Sequence, residues 1–416
     1  MSTRSRLKGE FPLGALVGAV ACCCTLGAQA QTSEPSPYGV GVSETLTHES
    51  NLDRDVNGAE KADWVSVTAL NFSLDQPIGR QRLRGNAALQ LNRYRDHDER
   101  NGGGHDVSLQ LDWETIENLS GLLGVQSVDR QYRYGLDSAQ PFDGKNDERS
   151  QSAFAHAKWG GMGAWSLIAG ANVLDRSYSV AEFDAANKFR QWSAEAGGGY
   201  RPSPDLGFAL VARHTRITRP DSATLTGDDV GRDDLETTVT WQASGASRLE
   251  GRLTRSSENH SVAADEDFWT GGLAWDWAPS AKLRFLTRVL RDTEGSSGNI
   301  ASPEATMPAT PAGAQLRDAL EWSAQWSLSP KVNVLAGAQW SRRHLKGLGG
   351  ETGTEPIRAT DRTTGLSLGL RYAPARSLDL GCDLRSEKRD TDTADLTLTR
   401  PYDSLSVGCA LSLWFR

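Results

Sequence analysis

The sequence predicts an all-β fold, a transmembrane antiparallel β-barrel of eighteen strands with short turns at one end and long loops at the other. Three observations predict it. Apolar and polar residues alternate with period two, short and long connections alternate along the chain, and residues 1–30 have the make-up of a secretory signal peptide. Composition agrees, because 38% hydrophobic residues, 42 glycines and 13 tryptophans suit a wall with one lipid face and one wet face.

In the signal segment, Arg4, Arg6 and Lys8 precede an apolar run over 11–26, and Ala28-Gln29-Ala30 supplies a small-residue cleavage site. The run is interrupted by small and polar residues and falls short of the roughly 20 apolar residues that a membrane helix needs. Residues 1–30 are therefore expected to be cleaved and residues 31–416 to form the barrel domain. Cleavage removes Cys22, Cys23 and Cys24, leaving Cys382 and Cys409, so a disulfide-framework fold is excluded. Losing three bases and one acid takes the formal charge from −8 to −10, and nothing in that balance points to a nucleic-acid partner.

Period-two alternation places the strands. Leu83, Ala87, Leu89 and Leu91 alternate with Arg82, Arg84, Asn86, Gln90 and Asn92. Val107, Leu109, Leu111 and Trp113 alternate with Asp106, Ser108, Gln110, Asp112 and Glu114, and Leu235, Val239 and Trp241 with Asp234, Glu236, Thr240 and Gln242. Carried along the chain, this pattern predicts strands over 38–50, 62–74, 81–94, 105–115, 120–134, 149–159, 165–174, 188–200 and 205–215. It continues over 233–243, 248–255, 267–278, 282–291, 315–328, 331–340, 361–372, 377–386 and 403–415. Most have the roughly 9–11 residues that a tilted transmembrane strand requires, or slightly more.

Short links fall at 75–80, 116–119, 160–164, 201–204, 244–247, 279–281, 329–330 and 373–376, each after an even-numbered strand. Odd-numbered strands lead into polar segments rich in Gly, Asp, Asn and Ser, such as 95–104, 135–148, 216–232, 292–314 and 341–360. Outer-membrane barrels keep short turns in the periplasm and long loops outside, so both termini are expected in the periplasm of a Gram-negative cell. Trp113, Trp159, Trp165, Trp241, Trp275, Trp277 and Trp326 cluster near strand ends, as an interfacial girdle would, whereas a soluble sandwich would bury them. The last strand shares one parity through Leu405, Val407, Cys409, Leu411, Leu413 and Phe415. It resembles the signal read by the barrel-assembly machinery, with Arg416 trailing the usual terminal aromatic.

Chemistry-bearing motifs are sparse. His48-Glu49-Ser50-Asn51 resembles the His-x-Ser-Asn motif of lipid-facing outer-membrane hydrolases, with Leu52 where a glycine commonly follows and no evident acidic partner. His97 and His105 stand among Asp96, Asp98, Glu99 and Asp106 without metal-ligand spacing. Acidic clusters at Asp228-Asp229, Asp233-Asp234 and Asp265-Glu266-Asp267 suit solvated loops, or cation bridges to lipopolysaccharide. No phosphate loop, nucleotide fingerprint or cysteine metal cluster appears, so neither an enzyme nor a cofactor is expected.

The opening strand carries a family likeness. Tyr38-Gly39-Val40-Gly41-Val42 leads through Glu44-Thr45 to Ser50-Asn51-Leu52-Asp53-Arg54, which resembles the first strand of EpsL-type outer-membrane barrels from exopolysaccharide-biosynthesis operons, often found with exosortase systems. The resemblance implies export of an extracellular polysaccharide. Its partners would be outer-membrane lipid and lipopolysaccharide, the glycan, and a separate periplasmic export or co-polymerase protein. Eighteen strands spaced by about 4.8 Å and tilted by about 40° give a backbone radius of roughly 18 Å, wide enough for an extended glycan.

Two alternatives use other chemistry: a nutrient porin for sugars, and the lipid-facing hydrolase. A porin is expected to show a basic ladder or an aromatic track, whereas the lumen candidates Arg82, Arg84 and Arg317 are mixed with Asp112, Glu114 and Glu321. The 292–314 segment is the longest external loop and is expected to restrict the mouth. Paired positions in the last hairpin have a constant index sum, which sets Cys382 against Cys409 on the outer face; they are candidates for a disulfide or for two apolar lipid contacts.

Overall fold

The structure, a computed structural model, describes residues 36–132, 144–160, 163–221, 227–262, 264–293, 316–346, 358–392 and 399–415. The expected signal peptide lies outside them, as does the 294–315 stretch on which the long-loop expectation fell. Eighteen strands follow in chain order. The first nine are β1 (Tyr38–Glu49), β2 (Asp63–Ile78), β3 (Gln81–Tyr94), β4 (Gly102–Glu114), β5 (Leu119–Gln131), β6 (Asp147–Trp159), β7 (Trp165–Tyr178), β8 (Phe189–Ser203) and β9 (Leu206–Thr218). The rest are β10 (Asp229–Ser244), β11 (Ser247–His260), β12 (Glu266–Ser280), β13 (Leu283–Thr293), β14 (Leu316–Ser329), β15 (Val332–Lys346), β16 (Arg358–Ala375), β17 (Leu378–Thr391) and β18 (Tyr402–Phe415). Each pairs antiparallel with its neighbours, and β1 pairs with both β2 and β18, so the sheet closes and has no edge.

Strand order and number match the sequence expectation, but many strands run farther toward the long loops. β10 begins at Asp229 rather than 233, β11 reaches His260 rather than 255, and β17 reaches Thr391 rather than 386. Alternation reports only the stretch with apolar residues on one side. Beyond it the hydrogen-bonded ladder continues without apolar residues on the outer face, which leaves no period-two signal. The short turns are correspondingly tighter: Gly79–Arg80 joins β2 to β3, with Gly79 at φ 63, a backbone that favours glycine. Among the described residues one helix, α1 (Ala181–Asn187), and one 3-10 turn (Asp98–Arg100) sit in long loops and are too short to show as helical periodicity.

The two faces are inverted relative to a water-soluble protein. Leu89, Leu91, Val107 and Leu109 are exposed, with Leu83 and Leu111 on the same parity, whereas the buried side chains are largely Asp, Glu, Arg, Ser and Thr. Trp159, Trp165, Trp241, Trp275, Trp277 and Trp326 are exposed on the outer face near the short turns, on the parity that Trp113 shares. Trp64, Trp192, Trp269 and Trp340 mark a second level toward the long loops. One carboxylate interrupts the apolar band between them. Glu44, between Val42 and Leu46 on the outer face of β1, accepts hydrogen bonds from Ser66 Oγ (2.5 Å) and Thr68 Oγ1 (2.6 Å).

Candidate functional site: the lumen and its long-loop mouth

Cross-strand register puts polar side chains of β3 to β11 on the inner wall, around a cavity of about 840 Å³ near the short turns. All six lumen candidates have the inward parity, but they form two groups. On β3 and β4, Arg82 grips Asp75 through two 2.6 Å hydrogen bonds, Arg84 pairs with Asp112, and Glu114 lines the cavity beside them. On β14, Arg317 pairs with Asp292 at 3.0 Å and Glu321 with Arg288 at 3.5 Å. The sequence reading missed the partners Asp75, Asp292 and Arg288, which become visible only once hairpin register is known. Opposite charges facing across adjacent strands supply the attraction.

Exposure changes along the lumen. Near the short turns, the side chains of Arg84 and Arg284 are 45% and 63% exposed, whereas toward the long loops Arg232, Arg343 and Arg389 are each at 6%. An inward apolar cluster of Leu174, Phe189, Ile217 and Val230 lies in that second half. So does a chain of polar contacts, Arg232 to Asp234 (2.7 Å), Ser256 Oγ to Asp234 (2.6 Å) and Arg232 to Glu258 (3.6 Å), while Arg213, paired with Glu195 (2.8 Å), lines the cavity below it. Among the described residues the lumen is therefore more open toward the short turns and more filled toward the long loops, although Arg130 near the long-loop end of β5 is 62% exposed.

The loop after β1 completes this filling. Asn51, fully buried, accepts from Asp55 N at 2.8 Å and donates to Asp55 O at 2.7 Å and Asp403 O at 3.1 Å; this folds the chain back at Arg54, whose φ is 52. Asp53 receives both terminal nitrogens of Arg100 from the next loop, at 2.6 and 2.8 Å. Burial alone would weaken the Arg100 charge, and the Asp53 carboxylate more than offsets it. Arg400 reaches Asp55 at 3.4 Å from the loop before β18. Beside them, Arg343 and Thr399 both donate to Asp361, and Tyr402 donates to Glu387 under the Arg389 guanidinium. Ser50-Asn51-Leu52-Asp53-Arg54, singled out in the sequence for its resemblance, is thus a docked element of the mouth.

The other motifs have separate partners. His48 stacks edge-on against Trp64, while the Ser50 hydroxyl accepts from Leu405 N at 2.8 Å, and Asn51 is committed to the turn just described. His97 Nδ1 lies 2.9 Å from Asp63, and His105 Nε2 lies 2.9 Å from Ser127. Among the acidic clusters, Asp228 holds His260 Nδ1 at 2.8 Å and accepts from Ser261 and Val262 N–H, and Asp233 holds His214 at 2.7 Å. Burial acts to raise the Asp228 carboxyl, and these hydrogen bonds bring it below the ordinary carboxylate range. Among the described residues no group of three or more metal-ligating side chains converges. Cys382 and Cys409 face each other in the β17–β18 register and are joined as a disulfide.

No protein-family model matches the sequence, and no curated protein matches it. Similar folds occur among solved structures. OccK2 (OpdF) of Pseudomonas aeruginosa is 12% identical at a TM-score of 0.51, over 91% of this chain and 98% of that one. OccAB2 of Acinetobacter baumannii is 12% identical at 0.49, over 92% and 100%. The likeness to OccK2 is one of fold.

Proposed function

We propose that the chain is an outer-membrane porin that passes small polar solutes by diffusion, with its long loops outside the cell and both termini in the periplasm. The observation that carries this reading is the graded lumen: a cavity of about 840 Å³ opens toward the short turns, and the opposite half is narrowed by the docked loop after β1 and its buried ion pairs. A volume in this range suits a small molecule rather than a polymer segment. The likeness in fold to OccK2 is compatible with the same choice. Export of a polysaccharide, implied by the EpsL-type resemblance, gains no support from a mouth filled with fixed side chains. Paired charges of both signs along the wall favour uncharged or zwitterionic solutes over ions of one sign.

Liposome swelling with sugars of graded size tests the reading. Monosaccharides and disaccharides are expected to enter and longer oligosaccharides to be excluded. Passage of a long glycan at comparable rate, or no solute flux through folded protein, would overturn it.

A further inference from the structure

On the outer face, above the apolar band, charged residues form a belt in which opposed positions carry opposite signs. Asp129 faces Arg149 (2.9 Å), Asp175 faces Arg190 (3.0 Å), and His214 faces Asp233 (2.7 Å). Among the described residues one opposed pair of this belt breaks the rule: Arg342 of β15 faces Arg362 of β16. Like charges directly opposite are destabilising, since their Cβ atoms lie only about 4.5–5.5 Å apart. The adjoining carboxylates do not compensate. Asp318, opposite Arg342, is taken by Arg291 (3.7 Å) and His344 (3.5 Å), and Asp390, opposite Arg362, by Lys388 (3.7 Å). Arg342 Nε is moreover buried without a hydrogen-bond partner.

We infer that Arg342 and Arg362 form a binding site for the phosphate of an outer-leaflet lipid headgroup, the diphosphorylated glycolipid of the outer membrane. This rests on the reading of the chain as an outer-membrane barrel. A single phosphate set between two guanidiniums removes their repulsion and accepts charge-assisted, bidentate hydrogen bonds from each. Height selects a lipid as its source. Ten residues separate Tyr372 from Arg362 on β16 and Val332 from Arg342 on β15. At a rise of about 3.3 Å and a tilt of about 40° that is about 25 Å, the height of a barrel's apolar band, so the pair lies at headgroup level. Trp340 stands two residues below Arg342 on the same face, where an aromatic marks the interface.

Native mass spectrometry of the detergent-purified full chain, titrated with diphosphoryl lipid A, tests the site. The wild type is expected to retain one lipid A about tenfold or more tightly than Arg342→Gln/Arg362→Gln. Dephosphorylated lipid A should be lost from both, and inorganic phosphate should displace little bound lipid. Arg149→Gln, which breaks a satisfied pair of the same belt, should retain lipid A as the wild type does. Equal retention by wild type and double variant, or of lipid A with and without phosphates, overturns the site. Saturable binding of inorganic phosphate at the pair without preference for lipid A overturns the lipid as its source. Heat-dependent gel mobility establishes that each protein is folded. Phosphate-dependent lipid retention by a folded barrel that passes no solute would uphold the site and remove the porin reading.

Discussion

Arg100 donates both terminal nitrogens to the carboxylate of Asp53, at 2.6 and 2.8 Å, and so clamps the second long loop to the first at the mouth of the lumen. Both side chains are almost fully buried. Without Arg100, Asp53 would keep only the longer contact to Lys61 at 3.8 Å, and removing one partner of a buried pair costs up to about 3–5 kcal/mol. Arg100→Leu is therefore expected to free the 50–62 loop, which hydrogen exchange reads directly, and to raise single-channel conductance. Wild-type conductance in a variant whose loop exchanges freely would show that this clamp does not narrow the pore.

A second device near the mouth responds to acid. Asp228 joins the start of β10 to the end of β11 through His260 and the two N–H groups that follow, and its carboxyl lies below the ordinary value of 3.8. A depressed folded value means that the contribution to stability is complete above the unfolded value and is lost as pH falls through the folded one. Opening at this corner is thus expected only below about pH 4, within the window set by the carboxylate reference value. Exchange at Ser261 and Val262 followed from pH 6 to pH 3 checks the sign. Acid protection instead of acid opening would contradict it.

Residues facing two solvents made most of the barrel legible. Leu83, Leu89 and Leu91 alternate with Arg82, Arg84 and Gln90 because one side meets lipid and the other water, so parity located every strand and the inward direction of all six lumen candidates. The hairpin index sum that set Cys382 against Cys409 also describes the observed β17–β18 pairing, from Leu378↔Leu413 to Arg389↔Tyr402. The mouth was not legible. Asp53 and Arg100 belong to different loops, neither with a period, and their pairing depends on where the closed barrel brings β1 and β3. The strand extensions past 233 and 255 were hidden for a related reason, since they carry no apolar residues on the outer face to alternate with polar ones.

Glu44 offers a test of the outer face. A carboxylate inside an apolar band is unfavourable, by less than the roughly 2–4 kcal/mol measured for Arg or Lys at mid-membrane. Its two hydroxyl donors, Ser66 and Thr68, offset part of that. Glu44→Val, which continues the run of Val40 and Val42, is expected to stabilise the barrel in lipid by about 1 kcal/mol in urea unfolding from vesicles. Marked destabilisation would place Glu44 against protein or water instead of lipid.

The Cys382–Cys409 bond lies on the outer wall, with Leu380 and Leu411 opposed on one side of it and Leu384 and Val407 on the other. Its position fixes its chemistry. A hydrophilic reductant has to reach a sulfur surrounded by lipid-facing leucines, so reduction should be slow in the assembled barrel and fast after unfolding. The cross-link spans a sequence separation of 27 and, by loop-closure entropy, stabilises the folded chain by roughly 3–4 kcal/mol. Because β18 also carries the terminal pattern that resembles the assembly signal, the same clip should hasten closure of the barrel. Cys382→Ala/Cys409→Ala is therefore expected to assemble more slowly and to lose heat-resistant gel mobility at lower temperature, with unchanged conductance once folded. Non-reducing mass spectrometry of the wild type should find no alkylatable thiol before denaturation or after it. Two free thiols in the folded protein, or identical assembly rates for the two forms, would remove the clip from the account of how this barrel closes.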